Sequence, residues 1–126
     1  VVKNDPLNLA KRVAFCLTLD GAVETFPFGE HFHVMRIYEK MFALIHYKDG
    51  KLYVSAKCEP EKGEHLREEY QAIIPGYHLN KTHWVSVVIT EEEQMDFELE
   101  KAILTNSYQL VLSKLSKKKQ AEIRGF

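Results

Sequence analysis

The chain has 126 residues, 45% of them hydrophobic and 28% charged, and its 17 Lys and Arg against 18 Asp and Glu leave a formal net charge of −1. That length suits a single domain, residues 1–126, able to bury a core without disulfide or metal staples, and the composition excludes a disordered or fibrous chain. The near-neutral balance excludes a global pull towards nucleic acid or a lipid surface, so a polyanionic partner needs a local basic patch.

In chain order, Asp5-Pro6 opens a helix, because Asp caps free backbone donors and Pro suits the first helical position. Leu7, Ala10, Val13, Ala14 and Leu17 share one face, and Asp20-Gly21 supplies the stop, which predicts a helix over 6–19. From Glu24 to Lys57 the pattern is extended. The aromatic and β-branched runs Phe32–Tyr38 and Met41–Tyr47 are separated by Glu39-Lys40 and pair as a hairpin. Asp49-Gly50 is a type I′ turn signal, and in the strand after it Leu52, Val54 and Ala56 alternate against Tyr53, Ser55 and Lys57, one face buried and the other polar.

Glu59-Pro60 starts a second helix over about 60–71, with Leu66 and Tyr70 inward. Pro75-Gly76 marks a turn or sheet edge after Ile73-Ile74, and Trp84–Ile89 is a further strand. Thr90 and Glu93 read as a capping box that opens a long helix. Met95, Leu99 and Ile103 form one stripe and Leu104, Tyr108, Val111 and Leu115 an offset second, with Thr105-Asn106-Ser107 expected to break or bend the helix between them. Residues 114–126 read as a basic, frayed tail. The order α-β-β-β-α-β-β-α predicts a two-layer α+β domain, with helices packed on one face of an antiparallel sheet.

No apolar run reaches the ~20 residues of a membrane span, and the stretch before Leu7 lacks the charged-then-apolar layout of a signal peptide. No membrane partner is therefore expected. The first residue is Val rather than Met, as in a trimmed chain or a segment of a longer one. Cys16 and Cys58 have no Cys-x-x-Cys spacing, and two free thiols fit a cytoplasmic location.

The pairs His31-x-His33 and His78-x4-His83 have no Cys or acidic ligand at a recognisable offset, so hydrogen-bonded histidines are expected rather than a metal. Cys58 beside Lys57 is a nucleophile only with a base and an orienting third group, and none is placed by spacing, so a core thiol is expected. The 6 glycines are scattered and form no phosphate loop. No enzyme activity and no cofactor are expected.

The segment Pro75 to Trp84 stands apart, because within ten residues it gathers a turn, two imidazoles, an amide, an ammonium and two large aromatics. These are the donors and stacking faces of recognition surfaces. Trp84 reads as core, while His78, Asn80, Lys81 and His83 are binding candidates. Arg36, Lys40 and Lys57, if they share an exposed sheet face, add a cationic patch able to meet phosphate. Glu91-Glu92-Glu93 with Asp96, Glu98 and Glu100 makes an opposing acidic run.

The motifs Thr25-Phe26-Pro27-Phe28-Gly29, Lys40-Met41-Phe42-Ala43, Ser55-Ala56-Lys57-Cys58-Glu59-Pro60, the whole of Pro75–Trp84 and Ser107-Tyr108-Gln109-Leu110-Val111 occur in one order along the chain. In them the sequence resembles the MmcQ/YjbR family of small bacterial proteins over nearly its whole length. The resemblance implies the same element order, loops described as a double wing, and a DNA-binding role resting on fold-level likeness. It carries over Lys57, His78, Asn80, Lys81 and His83. The expected function is a non-enzymatic DNA-binding module. The alternatives are a protein-interaction or chaperone-like domain, and a small-molecule pocket lined by His83, Asn80 and Tyr108.

Overall fold

The computed structural model describes residues 4–125; Val1, Val2, Lys3 and Phe126, the extremes of the N-terminal stretch and of the basic tail, lie outside them. The elements are α1 (Leu9–Leu17), β1 (Ala22–Thr25), β2 (His33–Ile37), β3 (Lys40–Lys48), β4 (Lys51–Lys57), α2 (Pro60–Glu69), β5 (Ile73–Pro75), β6 (Trp84–Ile89), α3 (Phe97–Ser113) and α4 (Lys117–Arg124). The six strands form one antiparallel sheet in the order β1-β2-β3-β4-β6-β5. The α+β architecture matches the sequence reading, with one strand and one helix more than it contained.

The extra strand is β1, four residues with no apolar alternation to mark it, pairing with β2 from Ala22↔Ile37 to Thr25↔Val34. The extra helix is α4, where the sequence reading has a frayed tail. Ser116 caps it by accepting from Lys119 N, and Gly125 closes it at φ +80°. Ile123 then packs against the core where Gly21 leaves room, so one apolar residue amid lysines anchors the segment.

Three boundaries also differ. α1 starts at Leu9 rather than residue 6, although Asp5 still accepts from Leu9 N and Ala10 N. Thr90 accepts from Glu93 N as a capping box requires, but no helix follows, because Glu91-Glu92-Glu93 has no apolar stripe to bury; α3 begins at Phe97, capped by Asp96. Finally, α3 runs unbroken through residues 105–107. Ser107 does not compete with the helix backbone: its hydroxyl donates to the Phe42 carbonyl (2.6 Å) and accepts from Lys57 N (2.8 Å), bridging β3 and β4 from the helix side.

Alternation along the strands separates two faces. Ile37, Ile45, Leu52, Val54, Val87 and Ile89 turn towards the helices and join Leu104, Tyr108 and Val111 in the core; each such side chain contributes about 1.5–3 kcal/mol by leaving water. A bulge opposite Met35 and Arg36 makes Phe42 an extra residue and turns it into this core, edge-on to Tyr108 with ring centroids 5.6 Å apart. The two-residue turns differ in kind. Asp49-Gly50 has both φ values positive, as its type I′ signal predicts, whereas the β2–β3 turn is centred on Tyr38-Glu39, one place earlier than expected.

Candidate functional site

The face of the sheet turned away from the helices is organised in rows set by the pairing register. One row runs Thr25, Val34, Leu44, Ser55, Ser86, Ile74 across all six strands. Ser55 and Ser86 share a hydrogen bond of 2.6 Å, and Ser86 Oγ also accepts from Tyr77 N, which pins the loop after β5 over the sheet. The next row pairs His46 with Tyr53 and Tyr53 with Val88. Here the rings gather: His46 lies 5.2 Å from Phe32, 5.3 Å from Tyr53 and 5.9 Å from Tyr77, and Tyr77 packs on Tyr53 at 4.7 Å and on His78 at 4.2 Å. His46 is 3% exposed, and neither ring nitrogen has a hydrogen-bond partner among the described residues. Its pKa is held below the ordinary value by burial first, then by His78 and Lys48.

Cations occupy both ends of this face. Arg36, opposite Met41, and Lys57, opposite Trp84, lie at one end on either side of β3; two strand spacings put their backbones roughly 10 Å apart. Lys48 and Lys51 pair at the other end. The one carboxylate borne by a strand, Glu24, is opposite Met35 and so on the helix side, where it meets His33 at 2.6 Å. Among the described residues no Asp or Glu therefore interrupts the strand positions of this face, whose middle row Val34, Leu44, Ser55 and Ser86 is itself buried. At the Lys48–Lys51 end Asp49 stands 3.9 Å from Lys48, and Glu91 follows soon after β6; at the other end Glu39 and Glu59 flank the two cations, their carboxylates meeting Lys119 and Asn106.

The sequence-derived candidates divide accordingly. Arg36 and Lys57 share the open face as expected. Arg36 donates to Thr25 Oγ1 (3.0 Å) and to the Glu39 carbonyl (2.7 Å), leaving three of its five N–H groups free of those bonds. Lys40 is a correction. It pairs with Ile37, a core residue, so it belongs to the helix side of the sheet. Lys81 and Asn80 each also make a contact within the loop: Lys81 Nζ donates to the Gly76 carbonyl at 2.7 Å, and Asn80 Oδ1 accepts from Thr82 N and His83 N. Both contacts help to build the loop, and both residues stay exposed, Lys81 with two ammonium hydrogens and Asn80 with its NH2 group outside these bonds. Gly76 is required there, since a Cβ would stand 2.6 Å from Trp84 Cβ. His83 is exposed, and its carbonyl accepts from Cys58 N. His78 is exposed at φ +59° with its ring on Tyr77.

The other chemical readings find different neighbours. His31 and His33 each face their own carboxylate, Glu30 and Glu24, and among the described residues no three His, Cys, Asp or Glu side chains gather in a metal-binding group. Cys58 is buried, and burial followed by Glu59 raises its thiol pKa, the reverse of an activated nucleophile; burial pushes Cys16 up to about 12. Tyr108 directs its ring to Phe42 and its hydroxyl to the Asp20 carbonyl, so it lines no pocket with Asn80 and His83. An open groove of about 400 Å³ lies elsewhere, between α1 and β1, with Leu9, Val13, Leu17, Glu24 and His33 on its walls.

Sequence reasoning missed His46, Phe32, Lys48 and Lys51 as members of this face. The alternation of residues 51–57 carried the signal for its own strand. The run Phe42–Ile45 is apolar on both faces and hides its register.

A family model described as YjbR matches residues 17–110. YbdF of Escherichia coli O157:H7 is 36% identical over 115 residues, covering 91% of either chain. YjbR of Escherichia coli K12 is 25% identical over 83 residues, 66% of this chain and 70% of the relative. The crystal structure of the Deinococcus radiodurans protein DR2400, with a DUF419 domain, superposes with a TM-score of 0.79 at 36% identity, over 92% of this chain and 87% of that one. A Pseudomonas syringae protein shares the fold with a TM-score of 0.71 at 21% identity, over 83% of this chain and 99% of its own.

Proposed function

Since this chain belongs to the YjbR family, we propose that it is a non-enzymatic, cytoplasmic DNA-binding module in which the sheet face away from the helices, buried along its middle row, meets the phosphate backbone through the cations at its two ends. One observation carries the reading: Arg36, Lys48, Lys51 and Lys57 share that face, and no strand carboxylate stands among them. A chain of net charge −1 meets a polyanion only through such segregation. Both cysteines are free, which suits a reducing compartment, and no described helix is long and apolar enough to cross a membrane.

The test is fluorescence anisotropy with a labelled mixed-sequence duplex, titrated from about 50 to 200 mM salt. Four engaged cations give a slope of log K against log salt of about −3 to −4, and Lys57→Ala reduces its magnitude by about one. Salt-independent binding, or none at the low-salt end, overturns the proposal.

A further inference from the structure

His46 combines features that a purely structural ring does not need. A neutral imidazole holds one donor and one acceptor, and here both nitrogens are buried and unpartnered. Buried polar atoms in folded proteins are nearly always satisfied, so an orphaned pair calls for an explanation. The cover over His46 is also unusual, since Phe32 and Tyr77 come from loops rather than from the helix layer. Phe32, Tyr53 and Tyr77 are each partly exposed, and His78 is exposed beyond them. From Lys51 to Lys57 along β4 the cations at the two ends of the face are roughly 20 Å apart, with the rings between them.

We propose that this site captures an unstacked base of a single-stranded nucleic acid. The base displaces the loop-borne cover of Phe32 and lies against Tyr53 and Tyr77, so that its polar edge reaches the imidazole and supplies the donor and acceptor that His46 lacks; Arg36 with Lys57, and Lys48 with Lys51, take phosphates further along the strand on either side. A duplex keeps its bases stacked and offers this face only its backbone, whereas a single strand satisfies ring, imidazole and ammonium together. The inference rests on the polyanion reading above and narrows its ligand.

Three probes of about 12 nucleotides separate the two: labelled oligo-dT, an abasic strand with the same phosphates, and a duplex. Oligo-dT is expected to bind at least about tenfold more tightly than the abasic strand. Tyr77→Ala and Tyr53→Ala each weaken oligo-dT about 5- to 150-fold and leave the abasic affinity unchanged. His46→Phe, which keeps an aromatic ring but removes both nitrogens, also weakens oligo-dT alone. Tyr77 lies in a loop, so its variant remains informative if Tyr53→Ala does not fold. Equal affinity for oligo-dT and abasic strand, or tighter binding of the duplex, overturns base capture while leaving the phosphate reading standing. Failure of all three probes to bind at low salt removes both.

Discussion

His46 is a ring whose protonation the fold opposes. On the open face it meets Tyr53 from β4, Phe32 from the segment before β2, and Tyr77 with His78 from the loop after β5; Lys48 is the other charge acting on it. None of these is an anion. Burial, then His78 and Lys48, hold its pKa below the ordinary 6.5. Unfolded, the ring gains a proton as pH falls through about 6.5, whereas folded it stays neutral to lower pH. The unfolded chain then binds the more protons, so this contribution to stability is complete above that value and is lost as pH falls towards the folded pKa. The expected outcome is that His46→Phe flattens the dependence of the urea midpoint on pH between about pH 7.5 and 5. A wild-type decline of the same steepness in the variant would place the acid sensitivity elsewhere. Removing two unsatisfied buried atoms also makes the variant no less stable at neutral pH.

Between elements, the strongest polar link is Arg12 on α1 with Glu100 on α3. Arg12 donates through Nε and Nη2 to the two carboxylate oxygens at 2.9 Å each, and through Nη1 to the Leu7 carbonyl at 2.8 Å. Both residues are at most 2% exposed. Glu100→Ala is expected to destabilise by about 3–5 kcal/mol, because it strands a buried guanidinium, whereas Arg12→Met combined with Glu100→Leu comes out near neutral. Denaturant unfolding of the single and double variants checks the pair. Helical and alternate periods mark α1, α2 and the β3–β4 hairpin directly, so the sequence reading places them to within about three residues. The sequence reading counted Glu100 in an acidic run rather than in the core, because its partner lies 88 residues away and nothing local marks a buried carboxylate. For the same reason Ser107 read as a helix breaker: its two partners, Phe42 and Lys57, are distant in sequence.

At the scale of the whole molecule, a net charge of −1 conceals an arrangement. Cations are spread over the open face, while Glu91-Glu92-Glu93 begins two residues after β6 ends, near the Lys48–Lys51 turn. Replacing all three with Gln is expected to raise affinity for mixed-sequence DNA a few-fold at low ionic strength. The gain shrinks towards zero near 0.15 M, where the screening length falls to about 8 Å. A gain that persists at high salt would mean that these carboxylates touch the ligand directly. The candidate site was half legible in the sequence: Arg36, Lys57 and the loop ahead of Trp84 were visible, but the contacts by which Lys81 and Asn80 close that loop depend on its fold and carry no local mark.

Both flanks of the sheet are stunted: β1 has four residues, β5 has three, and β5 ends in Pro75, which has no amide hydrogen to share. A neighbouring copy approaching sideways finds too few ladder positions to continue the sheet. Molecules crowded side by side therefore remain separate, and their local concentration can rise without the copies fusing into a fibril.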